Sequence, residues 1–111
     1  MRAMNKLDSE ANVVHGCLAY LKLRGIYAWR QNTGAAKTKS GRFVKFGMPG
    51  TPDIVGMLPG GRFLGIECKR PNGGRQSPAQ KLFQANTDAN NGVYLLVTSV
   101  GELSDAMEDL L

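Results

Sequence analysis

Two acidic side chains stand inside apolar runs of this 111-residue chain: Asp53 heads DIVGML (53–58), directly after the rigid turn of Pro49, Gly50 and Pro52, and Glu67 lies within RFLGIECK (62–69). Pro59, Gly60 and Gly61 join the two runs, a turn sequence that folds them into an antiparallel hairpin. Paired residue numbers in such a hairpin sum to about 120. That sets Asp53 opposite Glu67, with Cβ atoms roughly 4.5 to 5.5 Å apart. Carboxylates this close repel one another. Buried without a counterion they are strained or protonated, and a hard divalent cation with oxygen ligands resolves the conflict. Glu67 and Lys69 are two apart on one strand and share a face, which brings an ammonium beside the cation. Two carboxylates, a divalent metal and a lysine suit phosphodiester hydrolysis: Mg²⁺ or Mn²⁺ polarises the phosphate, acidifies a water and neutralises charge growing in the transition state. Lys69 would position or help deprotonate that water, or stabilise the phosphorane. The plain alternative is an ion pair of Lys69 with Glu67 or Asp53 and no metal.

The charge distribution points to a polyanionic partner. The chain carries 14 Lys and Arg against 9 Asp and Glu, a net charge of +5, but four acids (Glu102, Asp105, Glu108, Asp109) fall in the last eleven residues. Lys37, Lys39, Arg42 and Lys45 form the densest basic stretch, and no acid occurs between Gln31 and Pro52. Such a field favours phosphate backbones, with a solvated basic loop as the bland alternative. These four side chains would contact phosphates as positioning groups. Arg30, Arg70 and Arg75 are further DNA-binding candidates, the last two flanking the candidate strand and the loop after it.

The elements that must position these residues are readable in outline. Asp8 or Ser9 caps a helix to about Arg24, stopped by Gly25, with Leu7, Ala11, Val14, Leu18 and Leu21 as its apolar stripe. Residues 26–31 (IYAWRQ) read as a strand, with Trp29 expected in the core rather than as a base-stacking platform. Residues 33–50 read as a mobile basic loop or irregular hairpin around FVKF. After the 53–69 hairpin, Ser77 and Pro78 start a helix to about Asn90, residues 93–99 (VYLLVTS) form a buried strand, and Gly101 or Ser104 opens a short acidic helix. The expected fold is one α/β domain spanning residues 1–111, in the order α-β-β-β-α-β-α, with a mixed central sheet flanked by helices. His15 reads as a surface or packing residue. Cys17 and Cys68 lack metal or disulfide spacing and read as reduced, packed thiols. Gly73 and Gly74 lack the strand and helix context of a nucleotide loop, so no nucleotide cofactor is expected. No window reaches the roughly 20 apolar residues of a membrane span, and residues 1–7 have no signal-peptide run, so no membrane partner and a cytoplasmic location are expected.

Gly50, Thr51, Pro52 and Asp53 followed by Glu67, Cys68 and Lys69 resemble the PD-(D/E)xK nuclease signature, and the 13 residues between Asp53 and Glu67 suit the hairpin. With Glu10 on the first helix and SPAQ (77–80) on the second, nearly the whole chain is similar to a stand-alone virus-type replication-repair nuclease (VRR-NUC) domain. The resemblance implies a restriction-endonuclease-like core and Mg²⁺ or Mn²⁺. Asp53, Glu67 and the backbone carbonyl of Cys68 would be metal ligands, with Glu10 as the first-helix acid at the metal directly or through water. Lys69 would be the catalytic lysine and Gln80 a glutamine hydrogen-bonding within the site. It further implies a homodimer that cuts branched DNA, four-way (Holliday) junctions in particular, in a bacterial or phage-infected cell. Where such domains often carry basic residues near the final strand, this chain has Val97, Thr98 and Ser99. The competing readings are a flap, nick or non-specific endonuclease, a silent DNA-binding accessory module, and a structural protein with an incidental basic face.

Overall fold

The Ser9 hydroxyl accepts a hydrogen bond from the Asn12 N–H (3.1 Å) and starts helix α1 (Glu10–Leu23), which ends where Gly25 adopts φ +71°. The computed structural model describes residues 9–31, 34–72 and 74–111. Strands β1 (Tyr27–Arg30), β2 (Gly34–Lys37), β3 (Phe43–Phe46), β4 (Ile54–Met57) and β5 (Phe63–Cys68) follow, then α2 (Pro78–Ala89), β6 (Val93–Val97) and α3 (Val100–Leu110). Two more strands precede α2 than the expected order contains. Residues 34–46 fold as a separate two-stranded ribbon of β2 and β3, so the order is α-β-β-β-β-β-α-β-α. The ribbon closes through Thr38, whose N–H donates to the Arg42 carbonyl (2.7 Å), with Gly41 at φ +87° in the turn.

The central sheet has the order β1-β4-β5-β6 and is mixed: β4 runs antiparallel to both β1 and β5, and β6 runs parallel to β5. The parallel pair needs a crossover, which α2 supplies. Helices flank the sheet on both faces. Leu64, Ile66 and Cys68 of β5 and Ile54 of β4 meet Val13, Val14, Cys17 and Leu21 of α1 and Leu103 and Met107 of α3 in one core. The buried stripe of α1 thus departs from the expected one: Val13 and Cys17 join it, Ala11 is exposed, and Leu7 lies outside the described residues. Cys17 and Cys68 are free, buried thiols.

The alternate residues of β5 face the other way and meet α2. Phe83 of α2 packs on Phe63 (ring centroids 6.1 Å apart) and on Tyr94 of β6 (6.5 Å), which seats the helix over that side of the sheet. β1 is left as an edge strand with its outer face open. Trp29 is therefore 42% exposed rather than a core residue: α1 packs on β1 from the side of Ala28, and α2 packs on β6. Among the described residues no helix is long and apolar enough to cross a membrane.

Candidate active site

Hairpin register brings the two acids together. Ile54 pairs with Ile66, so the next pair is Asp53 with Glu67, on the face that α2 covers in part. Asp53 sits just ahead of β4. Its Oδ2 accepts the Cys68 N–H (2.8 Å), and its carbonyl accepts the Gln31 N–H (2.7 Å). The Lys69 N–H donates to the Val97 carbonyl (2.9 Å), so the alternating pattern turns the N–H and carbonyl of Cys68 away from β6 and toward Asp53. Pro52, opposite Cys68 in the register, has no N–H, and the ladder offers that carbonyl no donor from β4. Pro52 also packs on β5: a Cβ at Gly65 would lie 2.8 Å from its ring.

Glu67 is 3% exposed. Its Oε2 accepts from Gln80 Nε2 (2.9 Å) and lies 3.6 Å from the Lys69 ammonium, while Oε1 is buried with no hydrogen-bond partner. Burial, reinforced by the Asp53 charge and only partly opposed by Lys69, pushes the Glu67 carboxyl up to about 8.

Gln80 is fixed at both ends of its amide. Oε1 accepts the Ser77 N–H (2.8 Å) while the Ser77 hydroxyl accepts the Gln80 N–H (3.1 Å), a complete capping box at the start of α2. Since Oε1 must accept from that N–H, Nε2 is the group that donates to Glu67. Gln76 and Gln84, the neighbouring glutamines of the segment, bond each other (2.9 Å), and Gln76 also bonds the Tyr94 hydroxyl (3.2 Å), apart from the acid pair. Gly50, at φ +85°, lies against the first turn of α2, where a Cβ would collide with the Ala79 carbonyl. Gly74 lies against the stem of Lys69, where a Cβ would come within 2.7 Å of the Lys69 Cβ. These glycines, Gly65 and the reciprocal Ser77 cap are positioning features beyond the expected site list. The spacing Ser77-x-x-Gln80 and a glycine inside an apolar strand are the signals that point to two of them.

The remaining expected residues fall in different places. Glu10 is exposed in the first turn of α1, and among the described residues no group of three or more His, Cys, Asp or Glu side chains gathers closely enough to hold a metal. Lys37, Lys39 and Arg42 are exposed on the β2–β3 ribbon, the Lys37 ammonium 5.7 Å from the centre of the Phe43 ring. The Lys45 side chain lies outside what the structure describes. Arg30 pairs with Ile54, which places it on the opposite face of the sheet from Asp53. Arg70 and Arg75 are exposed beyond β5, and His15 is exposed on α1.

The donor set fits a hard divalent cation. It offers the carboxylates of Asp53 and Glu67 and the Cys68 carbonyl, all oxygens, and the partnerless Glu67 Oε1 is the atom a cation would satisfy. No family model, curated protein or solved structure matches the chain.

Proposed function

We propose that this chain is a metal-dependent endodeoxyribonuclease of the PD-(D/E)xK type, closest in its motifs to the VRR-NUC domains. The observation that carries the reading is the buried, partnerless Glu67 Oε1 beside Asp53, with the Lys69 ammonium 3.6 Å from the other oxygen. Asp53, Glu67 and the Cys68 carbonyl would hold Mg²⁺ or Mn²⁺. When bound, such an ion polarises the phosphodiester and makes a neighbouring water acidic. The chain's own residues do the rest. Lys69 orients the attacking water or donates to the phosphoryl oxygens as their charge grows. Gln80 keeps Glu67 turned toward the cation side, and burial excludes bulk water. The water oxygen forms a new bond to phosphorus as its proton passes to solvent, the bond to one deoxyribose oxygen breaks, and that oxygen leaves with a proton taken from a second water, so the step is a net addition of water across the P–O bond. The finer reading is a homodimer resolving four-way junctions, because symmetric nicking needs two sites and a two-fold pair of these chains supplies them.

Cleavage of end-labelled four-way junction, flap and linear duplex with Mg²⁺, Mn²⁺ or EDTA tests this. Cation-dependent cutting is expected. Lys69→Ala should lower the rate by about 10²-fold, and Asp53→Asn, which keeps an acceptor for the Cys68 N–H, should remove it. Symmetric cuts in the junction alone support the dimeric resolvase, and flap cutting moves the enzyme to the flap class. Cutting by Lys69→Ala at the wild-type rate would overturn the site. Tight binding without cutting would favour the accessory-module reading.

A further inference from the structure

The open face of β1 carries an aromatic pair for which hydrolysis itself has no use. The register sets Trp29 opposite Val55 and Tyr27 opposite Met57, with Gln31 continuing to Asp53 through its N–H. Trp29 and Tyr27 therefore share the face of the sheet that bears Asp53 and Glu67. Trp29 is 42% and Tyr27 67% exposed, and their rings meet edge to face with centroids 5.5 Å apart. The Trp29 Nε1–H donates to Gln31 Oε1 (3.1 Å), so the indole is fixed in direction with its polar edge satisfied within the chain. One strand spacing across and two residues along separate Trp29 from Asp53, roughly 8 Å. The chain then leads from Gln31 into the ribbon with the exposed Lys37, Lys39 and Arg42.

We infer that Trp29, buttressed by Tyr27, stacks an unpaired nucleobase next to the phosphate that is cut. This rests on the nuclease reading and moves its substrate from the fully paired four-way junction to DNA with single-stranded character at the cleavage point: a flap, a splayed branch or a loop. A base inside an intact duplex is already stacked on both faces and cannot use the platform, whereas single strands combine aromatic stacking with a basic track for the backbone. Charge selects the polyanion over a second copy of this chain, because each copy carries a net charge of +5 and like-charged copies repel.

Trp29 is the only tryptophan, so its emission reports on the platform directly. The Asp53→Asn protein in EDTA is titrated with a short single strand, a blunt duplex of equal length and heparin. Saturating single strand should quench and shift the emission, and duplex and heparin should not. By anisotropy of labelled DNA, Trp29→Ala should bind the single strand about 10-fold more weakly and the duplex within about twofold of the parent, with Trp29→Phe regaining most of the loss. Unchanged emission at saturation, or equal losses for single strand and duplex, would overturn the inference. So would a protein-only emission shift that grows with concentration and vanishes with dimerisation in Tyr27→Ala, since the face would then belong to a second copy. Because no cleavage is needed, the two readings fail separately. Cutting without quenching removes the platform and keeps the nuclease. Quenching without any Mg²⁺-dependent cutting by the wild-type chain removes the nuclease and keeps a single-strand-binding module.

Discussion

Glu67 is the carboxyl at which stability should couple to pH and to the proposed cation. Its group ionises at about 8 in the folded chain against an ordinary 4.5, so between those values the native state holds a proton that the unfolded chain releases. The unfolding free energy of the metal-free protein should therefore fall as pH rises from 4.5 to 8 and level off above. Urea melts across that range in EDTA check this, and Glu67→Gln should flatten the slope. At pH 8, where the proton is half lost, Mg²⁺ should raise Tm in the wild type and not in Glu67→Gln. A slope of the opposite sign would mean that Lys69 outweighs burial at this carboxyl. The convergence of Asp53 and Glu67 is legible in the sequence because the tight turn at Pro59 to Gly61 leaves a single pairing. The depth of Glu67 is not, because it depends on where α2 comes to rest.

At the scale of elements, the join between the GTPD loop and α2 aligns the site. Gly50 combines a left-handed backbone with direct contact on the first helical turn, so Gly50→Ala should cost about 2–4 kcal/mol in urea unfolding and should lower cutting by moving Gln80. Gly60→Ala is the control. Its φ is +91° but nothing lies within 4 Å of the added methyl, so about 1 kcal/mol should be lost with cutting unchanged. If both variants cut equally, Gly50 does not position the helix. The helix starts at Ser9 and Ser77 and the stop at Gly25 are readable because caps are local chemistry, whereas α3 is capped by Ser99 and starts ahead of the expected Gly101 or Ser104. The β2–β3 ribbon is harder to read: GAAK and FVKF are four residues each, the first with little strand preference, and they find each other across a five-residue connection. The setting of Trp29 fails for a different reason. An aromatic strand has the same sequence whether a helix covers it or not, and the contact of Phe83 with Phe63 and Tyr94 is what draws α2 away from β1.

For the whole molecule, charge is sorted by element. The acids of α3 are all exposed, on a helix that packs with α1 under the sheet, whereas Lys37, Lys39 and Arg42 project from the ribbon. The ion pair of Arg24 with Glu108 (3.7 Å) joins α1 to α3 and, being exposed, adds little to stability. The expected reading of the ribbon as a phosphate contact has a quantitative test. Replacing Lys37, Lys39 and Arg42 by Ala should weaken DNA binding irrespective of sequence and reduce the slope of log K against log salt by about 2–3. An unchanged slope would mean that the ribbon does not touch the backbone. Glu108→Ala, on α3, should leave the slope where it was.

The double attachment of Gln80 leaves position 80 almost no chemical freedom. Glutamate would keep the acceptor that closes the turn at Ser77 but would set a third negative charge against Asp53 and Glu67. Lysine would keep a donor for Glu67 and lose the acceptor, and asparagine falls one methylene short of spanning both. Starting the helix and aiming the carboxylate are thus one specification written in one side chain, and drift in sequence cannot exchange either for the other.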